Sequence, residues 1–349
     1  MSFPNSLEKN IKIEEKEKSE VGSKFYSLDS GLDIQVKWKE YTPQKNLKGE
    51  ELLTQDKGII MLPGWGMGVE DTTIENLSKE FAENSNMKTT SLSSRSMQST
   101  PTHGENMLYE EAKAMSMFIR EKGLKEVTLV GHSQGGDKAI NIASILQQDP
   151  DLHIAGVILI SAVGMYKQEP SDLVKNFSKD ALINTPQSLI GQLPKNPGAM
   201  KSGISASMDI LSTMVKEAWD SKGEYIDRFK REVKEMSAIN PQMATITAPV
   251  VLISGAEDTV SNPEKIVPEE EEERILNENE GNGFIDPREE YLKANLFKQS
   301  PYVRLVAPEK LGHHGLPYFR GGSVARGSMY LLKRFNRRQK LPKSEEGQS

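Results

Sequence analysis

The residues GHSQGG at 131–136 constrain this chain more than any other feature. They follow an apolar, strand-like stretch at 127–130 and precede a helical pattern. A serine inside a strand needs no glycine neighbours, whereas a serine on a sharp strand–turn–helix bend needs neighbours without a Cβ atom. The pattern therefore predicts that Ser133 projects from a tight turn in a strained conformation. Accidental glycine spacing in an ordinary turn is the alternative interpretation.

Strand and helix patterns alternate along the rest of the chain. Continuous apolar runs at 57–63, 154–164 and 248–258 are typical of strands buried on both faces. Amphipathic stretches separate such runs, and residues 24–43 read as a hairpin around a Ser-Gly turn. This order predicts an α/β fold, a mostly parallel central sheet flanked by helices.

Two long interruptions and two polar ends divide the chain further. The stretch 164–245 is Met-rich and helical in composition, which predicts an inserted helical cap in which Met200, Met208 and Met214 offer an adaptable apolar wall. The predicted organisation is a disordered segment at 1–22, a core at 23–163 and 246–336, a cap at 164–245, an acidic surface excursion at 261–300 and a flexible tail at 337–349.

Composition excludes several kinds of protein. The 349 residues carry a net charge of −6, so no basic field would attract nucleic acid. The absence of cysteine excludes disulfides, a cysteine nucleophile and thiolate metal sites. No apolar run has the length of a signal peptide or a membrane span, and we expect a cytoplasmic protein without metal or organic cofactor.

A serine nucleophile needs a base, and the chain has five histidines. His132 adjoins the serine on the turn, His153 precedes a strand at its far end, and His103 lies on a polar loop. The pair His313 and His314 follows the apolar run 302–307 directly, at the strand end where sites of parallel sheets assemble. We predict that His313 is the base, with His314 as the alternative.

An acid must orient the histidine, and two main-chain amides must stabilise the oxyanion. Asp258 follows an apolar strand by a short Gly-containing loop; Glu257 beside it is the rival, and a helix N-cap is the structural alternative. The first predicted amide donor is Gln134, the residue after the nucleophile. The second is Trp65, in the Gly-rich stretch LPGWGMG at 62–68. That stretch lacks the Lys-Ser/Thr ending of a phosphate-binding loop.

Taken together, LPGWGMG, GHSQGG, ISGAEDTV and GHHG resemble the motifs of the α/β-hydrolase superfamily, in particular its capped carboxylesterases. Pro63 stands where histidine is commoner in that family. The resemblance implies a Ser133–His313–Asp258 triad, an oxyanion hole at Trp65 and Gln134, and a helical cap. A serine at the turn argues against the dehalogenases and epoxide hydrolases of the superfamily, which use aspartate there.

These features predict a serine hydrolase that cleaves carboxylic esters of short to medium acyl chains through an acyl-enzyme at Ser133. The partner would be a small-molecule ester. A thioesterase, a lactonase or a C–C hydrolase would use the same residues, and a non-catalytic ligand-binding scaffold is the alternative of a different class. The oligomeric state does not follow from the sequence.

Overall fold

The architecture is that of a computed structural model. The structure describes residues 21–43, 56–96, 106–180, 224–279, 286–309, 312–313 and 315–340. Several sequence predictions therefore lie outside the described residues: those for the segment at 1–20, His103, His314, the last residues of the tail and the three cap methionines.

An eight-stranded sheet forms the centre of the molecule. Its strands are β1 Val21–Ser27, β2 Asp33–Tyr41, β3 Lys57–Leu62, β4 Lys88–Ser96, β5 Glu126–His132, β6 His153–Ile160, β7 Val250–Ile253 and β8 Val303–Val306. Their spatial order is β1-β2-β4-β3-β5-β6-β7-β8. β2 pairs antiparallel with β1 and β4, and all other neighbours run parallel.

Helices connect the parallel strands. They are α1 Thr72–Ser85, α2 Met107–Glu121, α3 Gln134–Leu146, α4 Pro170–Lys179, α5 Glu224–Met236, α6 Glu269–Glu278, α7 Pro287–Tyr291 and α8 Gly315–Lys340. Short 3-10 turns occupy Pro241–Thr245 and Pro263–Lys265, and a π turn occupies Leu292–Leu296. α1 starts after a capping residue, since the side chain of Asp71 accepts from the amides of Thr73 and Ile74.

The helices cover both faces of the sheet. On one face α1 packs against α8, with Leu77 and Phe81 beside Ala325 and Met329 in one apolar cluster. On the other face α2 and α3 pack together, and their apolar residues join the largest core cluster. The predicted fold class, the hairpin of β1 and β2, and the buried parallel strands are confirmed.

The strand order determines where a site can form. β3 lies between β4 and β5, so the chain crosses to the other side of β3 after β4. Such a reversal opens a crevice at the carboxyl ends of the strands. The loop after β3 and the turn after β5 meet there.

The structure corrects the predicted boundaries at both ends. Val21 and Gly22, assigned to the disordered segment 1–22, belong to β1. The terminal helix continues to Lys340, beyond the predicted start of the tail at 337. Pattern alone places such ends poorly, because helices and strands extend beyond their apolar residues.

The acidic excursion 261–300 is also corrected in part. Glu269 and Glu273 are exposed, as a solvated face requires. Leu292 and Phe297, however, are fully buried in the main core cluster. The described end of this stretch, from 286 to 300, is thus partly a component of the core, because Leu292, Leu296 and Phe297 point inward.

Candidate active site

Ser133 occupies the bend between β5 and α3. Its φ of 54° and ψ of −120° lie in a region that costs a non-glycine residue about 1–3 kcal/mol. The bend is held by main-chain hydrogen bonds: the Ser133 amide donates to the carbonyl of Ile160 at 2.9 Å, and its carbonyl accepts from Gly136 at 2.9 Å and Val163 at 3.3 Å. The strained turn predicted from the glycine pattern is confirmed.

The glycines around Ser133 are required by close backbone contacts. A Cβ atom on Gly131 would lie 2.2 Å from the carbonyl oxygen of Gly135. A Cβ atom on Gly135 would lie 2.1 Å from the carbonyl oxygen of Leu62, at the end of β3. No side chain fits at these distances, so the turn and the β3 loop can touch only through glycine.

His313, between β8 and α8, reaches the serine. Its Nε2 atom lies 2.9 Å from the Ser133 Oγ atom, and its Nδ1 atom lies 3.1 Å and 3.2 Å from the two carboxylate oxygens of Asp258. All three side chains are buried. The structure therefore brings together the three residues that the sequence singled out.

Asp258 is held by the backbone of its own loop after β7. One carboxylate oxygen accepts from the amides of Val260 at 2.9 Å and Ser261 at 2.8 Å. Glu257, the rival acid, is exposed. The loop thus presents Asp258, and not Glu257, to the imidazole of His313.

Opposite charges shift the pKa values of this pair in opposite directions. Burial by itself would raise the pKa of the Asp258 carboxyl, but the charge of His313 and the hydrogen bonds hold it below its ordinary value. Burial would likewise lower the pKa of His313, but the carboxylate of Asp258, with a contribution from Asp180, raises it. The imidazole is therefore a stronger base than an exposed histidine.

The two predicted amide donors flank Ser133. Gln134 is the first residue of α3 and is buried. Trp65 follows Gly64 in the loop after β3, and a Cβ atom on Gly64 would lie 3.2 Å from that of Ser133. The Trp65 loop and the start of α3 are thus in contact with the serine from two sides.

Two other histidines lie in the described part of the chain. His132 is buried, with its ring centroid 5.5 Å from that of His313. His153 is exposed at the start of β6, the opposite end of the sheet.

A small apolar cavity with a volume of about 10 Å³ adjoins Ser133. We call it the apolar cavity. The helices α4 and α5 supply most of its wall, and the Trp65 indole closes one side. The lining residues are Trp65, Ser133, Val163, Leu173, Val174, Phe177, Val233, Met236 and Val260.

A second, polar cavity lies on the other side of Trp65. We call it the charged cavity, and its ionisable lining residues are Lys37, Lys138, Arg228 and Glu232. Glu232, on α5, is buried, and its carboxylate accepts from the Trp65 indole Nε1 at 2.8 Å and from Arg228 Nε at 2.7 Å.

The ion-pair network continues below this cavity to α2. The buried carboxylate of Glu111 lies 2.6 Å from Lys138 Nζ and 3.6 Å from an Arg228 nitrogen. Burial would raise the pKa of Glu111, but these two cations lower it. The sequence reasoning missed Glu111, Arg228 and Glu232, since only the fold brings their distant positions together; the i, i+4 spacing of Arg228 and Glu232 was the single local signal.

Neither a metal cluster nor a membrane span is evident in the described part of the chain. It contains no group of three or more His, Cys, Asp or Glu residues that could hold a metal ion. None of its helices is long and apolar enough to cross a bilayer.

Comparison with known families identifies the chain. Residues 100–278 match the family described as "Serine aminopeptidase, S33", and this range is more than half of the chain. The protein belongs to this family of α/β hydrolases. The matched range contains Ser133 and Asp258 of the S33 protein, and His313 lies beyond it.

Solved structures agree with the S33 assignment at the level of the fold. The chain is similar to a thermophilic esterase from Thermogutta terrifontis, with 12% identity, a TM-score of 0.55 and coverage of 90% of this chain and 98% of the esterase. It is also similar to a putative lipase from Acinetobacter baumannii AYE, with 14% identity, a TM-score of 0.52 and coverage of 91% and 93%. A comparison with curated protein sequences found no match.

Proposed function

We propose that this protein is a serine hydrolase that cleaves carboxylic esters through an acyl-enzyme on Ser133. The observation that carries the proposal is the buried chain of contacts from Asp258 through His313 to the Ser133 Oγ atom. A binding scaffold has no need of a strained serine in contact with a histidine of raised pKa, which favours catalysis over the scaffold alternative.

The reaction proceeds in two steps. His313 Nε2 takes the Ser133 proton as Oγ attacks the ester carbonyl, and it then gives that proton to the leaving alcohol. Asp258 fixes the tautomer of the imidazole and stabilises the imidazolium. Water activated by His313 then attacks the acyl-enzyme and releases the acid.

The developing oxyanion would bind the main-chain amides of Trp65 and Gln134. Both residues flank Ser133, and the positive N-terminal end of α3 points toward the same place. Each donor of this kind contributes about 2.7–4 kcal/mol of transition-state stabilisation.

The apolar cavity would hold the acyl group. Its walls are mainly aliphatic and aromatic, which suits an acyl chain, and its volume of about 10 Å³ means that α4 and α5 must move apart to admit anything longer than a short chain. Much of the wall comes from α4 and α5 in the stretch 164–245, and we propose that this stretch is the cap. The family description names an aminopeptidase, so amide substrates belong beside esters in any test.

The test is a Ser133→Ala variant, with Ser116→Ala, a buried serine within α2, as the matched control. We expect the Ser133 variant to lose at least about 10⁴-fold in kcat on p-nitrophenyl butyrate and to resist a fluorophosphonate probe. The control should keep both properties. Full activity or full labelling of the Ser133 variant would refute the proposal.

A substrate panel then separates the hydrolase classes. The wild type is assayed on acyl p-nitrophenyl esters of two to twelve carbons, a thioester, a lactone and an aminoacyl anilide. We expect kcat/KM to be highest for an ester of short or medium chain. A maximum on the anilide would replace the esterase with an aminopeptidase, and a wild type that the probe does not label would favour the scaffold.

A further inference from the structure

Glu232 joins the cap helix α5 to both residues that bear the proposed oxyanion amides. One carboxylate oxygen accepts from the Trp65 indole Nε1 at 2.8 Å and lies 3.5 Å from the side-chain nitrogen of Gln134. The other oxygen accepts from Arg228 Nε at 2.7 Å. A single buried carboxylate thus contacts the β3 loop, the start of α3 and its own helix.

The Trp65 loop has little other polar support among the described contacts. Its indole packs on the rings of Phe177 and Phe229, with centroids 5.3 Å and 4.9 Å away. Ring packing tolerates sliding and rotation, whereas a charge-assisted hydrogen bond from the indole Nε1 fixes direction. The bond to Glu232 therefore determines the orientation of the indole and, through it, of the loop.

Arg228 keeps Glu232 in place. Arg228 also lies 3.6 Å from the buried carboxylate of Glu111, which pairs with Lys138 on α3. The network thus connects α5 with α2 and α3. The guanidinium of Arg228, itself held by Glu111, orients the Glu232 carboxylate.

We propose that Glu232 is a positioning residue that holds the Trp65 and Gln134 amides in the geometry required by the oxyanion. The assignment rests on the proposed function. Glu232 touches no reacting atom, so it acts mainly on transition-state stabilisation, and its effect on ground-state binding is limited to the Trp65 wall of the apolar cavity.

The test is the Glu232→Gln variant. A glutamine keeps the size of the side chain, but its amide group must present a donor either to Trp65 or to Arg228, so one hydrogen bond is lost. We expect kcat to fall roughly 10- to 100-fold, which is less than the fall caused by removing an oxyanion donor altogether, and KM to stay within about threefold of wild type. The affinity for a trifluoromethyl ketone, whose adduct carries an oxyanion, should fall by the same factor as kcat/KM.

Glu235→Gln is the matched control. Glu235 lies on the same helix and accepts from the amides of Met107 and Leu108 at the start of α2, so it also fastens α5 to the core. The control should keep kcat and trifluoromethyl ketone affinity within about threefold. Equal losses in the two variants would overturn the proposal and leave only a general role in cap attachment.

A double-mutant cycle with Trp65→Phe identifies the path of the effect. The phenylalanine lacks the Nε1 donor but keeps the main-chain amide, so Glu232→Gln should cost much less in that background. Additive losses would overturn the assignment, as would a Glu232→Gln enzyme with unchanged kcat. A wild type without ester hydrolysis or probe labelling would refute the proposed function, and with it this role.

Discussion

The two sides of the Trp65 indole differ in chemistry. The apolar cavity beside Ser133 is lined by aliphatic and aromatic side chains such as Leu173 and Phe177. The charged cavity on the other side holds Arg228 and Glu232, with Lys138 and the buried Glu111 below. Trp65 therefore separates an apolar surface, whose contribution depends on the area buried, from an ionic network, whose contribution depends on hydrogen-bond geometry.

The difference suggests two separate tasks. Apolar packing tolerates changes of shape at modest cost, so the apolar cavity can adapt to the acyl group that we propose it holds. A buried ionic network is stable only when every partner is present, so the charged cavity fixes the Trp65 loop and α5 in one arrangement. Substitutions on the charged side should therefore act mainly on stability, and substitutions on the apolar side mainly on chain-length preference.

The largest effect on stability is expected from Glu111→Ala on the charged side. The change leaves Lys138 buried without a carboxylate partner and removes one contact of Arg228, which should cost about 3–5 kcal/mol in the free energy of unfolding. Urea denaturation followed by circular dichroism measures it. Because the folded-state pKa of Glu111 is lowered, its contribution is present above the ordinary pKa of glutamate and is lost as pH falls through the folded-state value.

Glu126→Ala provides the comparison for an exposed ion pair. Glu126 lies 3.0 Å from Lys57, and about a third of each side chain is exposed. Its loss should cost less than about 1 kcal/mol. If both variants lost the same small amount of stability, the network below the charged cavity would have no special role in holding α5.

A smaller effect on stability, and a different effect on catalysis, is expected from Leu173→Ala on the apolar side. The substitution removes buried aliphatic carbons from α4, which packs through one face, and this should cost about 2 kcal/mol in the free energy of unfolding. It also enlarges the apolar cavity, so kcat/KM for longer acyl chains should rise relative to shorter ones, by roughly tenfold per added methylene at the new limit. A p-nitrophenyl ester series measures the shift.

Leu77→Ala separates lost stability from a reshaped cavity. Leu77 is buried between α1 and α8 on the far face of the sheet. This variant should be destabilised by at least as much as Leu173→Ala while its chain-length preference stays that of the wild type. If the chain-length preference changed in both variants, reduced stability of the fold, and not the wall of the apolar cavity, would account for the change.

The sequence singled out the three residues that meet at Ser133 but none of the acidic residues on the charged side, and the apolar wall that it predicted at Met200, Met208 and Met214 lies outside the described residues. The positions of Ser133, Asp258 and His313 follow from local rules, because each stands just after an apolar strand and parallel strands end at one edge. Two predictions were wrong: the chain boundaries near Val21 and Lys340, and the surface position of the stretch that contains Leu292 and Phe297. Short apolar segments carry little periodicity, so the pattern could not place them.

The ionic network could not be predicted from the sequence for a different reason. Glu111, Lys138 and Arg228 come from three helices, and each alone looks like an ordinary charge on an amphipathic surface. Their burial results from the way α5 packs against α2, with Lys138 of α3 and Arg228 of α5 both beside Glu111. Only the three-dimensional arrangement distinguishes them from solvated charges.

The smallest effect concerns pH, and it tests whether the two sides are independent. Catalysis needs neutral His313, so kcat/KM should rise with pH, about tenfold or 1.4 kcal/mol per unit, up to a midpoint above the ordinary histidine value of 6.5. The same raised pKa means that the ion pair with Asp258 stabilises the fold below the unfolded-state pKa and loses this contribution as pH rises through the folded-state value.

In the Asp258→Asn variant the midpoint of the kcat/KM profile should move to lower pH, because the carboxylate that raises the pKa of His313 is gone. In the Leu173→Ala variant the midpoint should not change, because an enlarged apolar cavity adds no charge near His313. A midpoint that moved in Glu232→Gln as far as in Asp258→Asn would show that the charged cavity acts on the base itself, and the separation of tasks across Trp65 would fail.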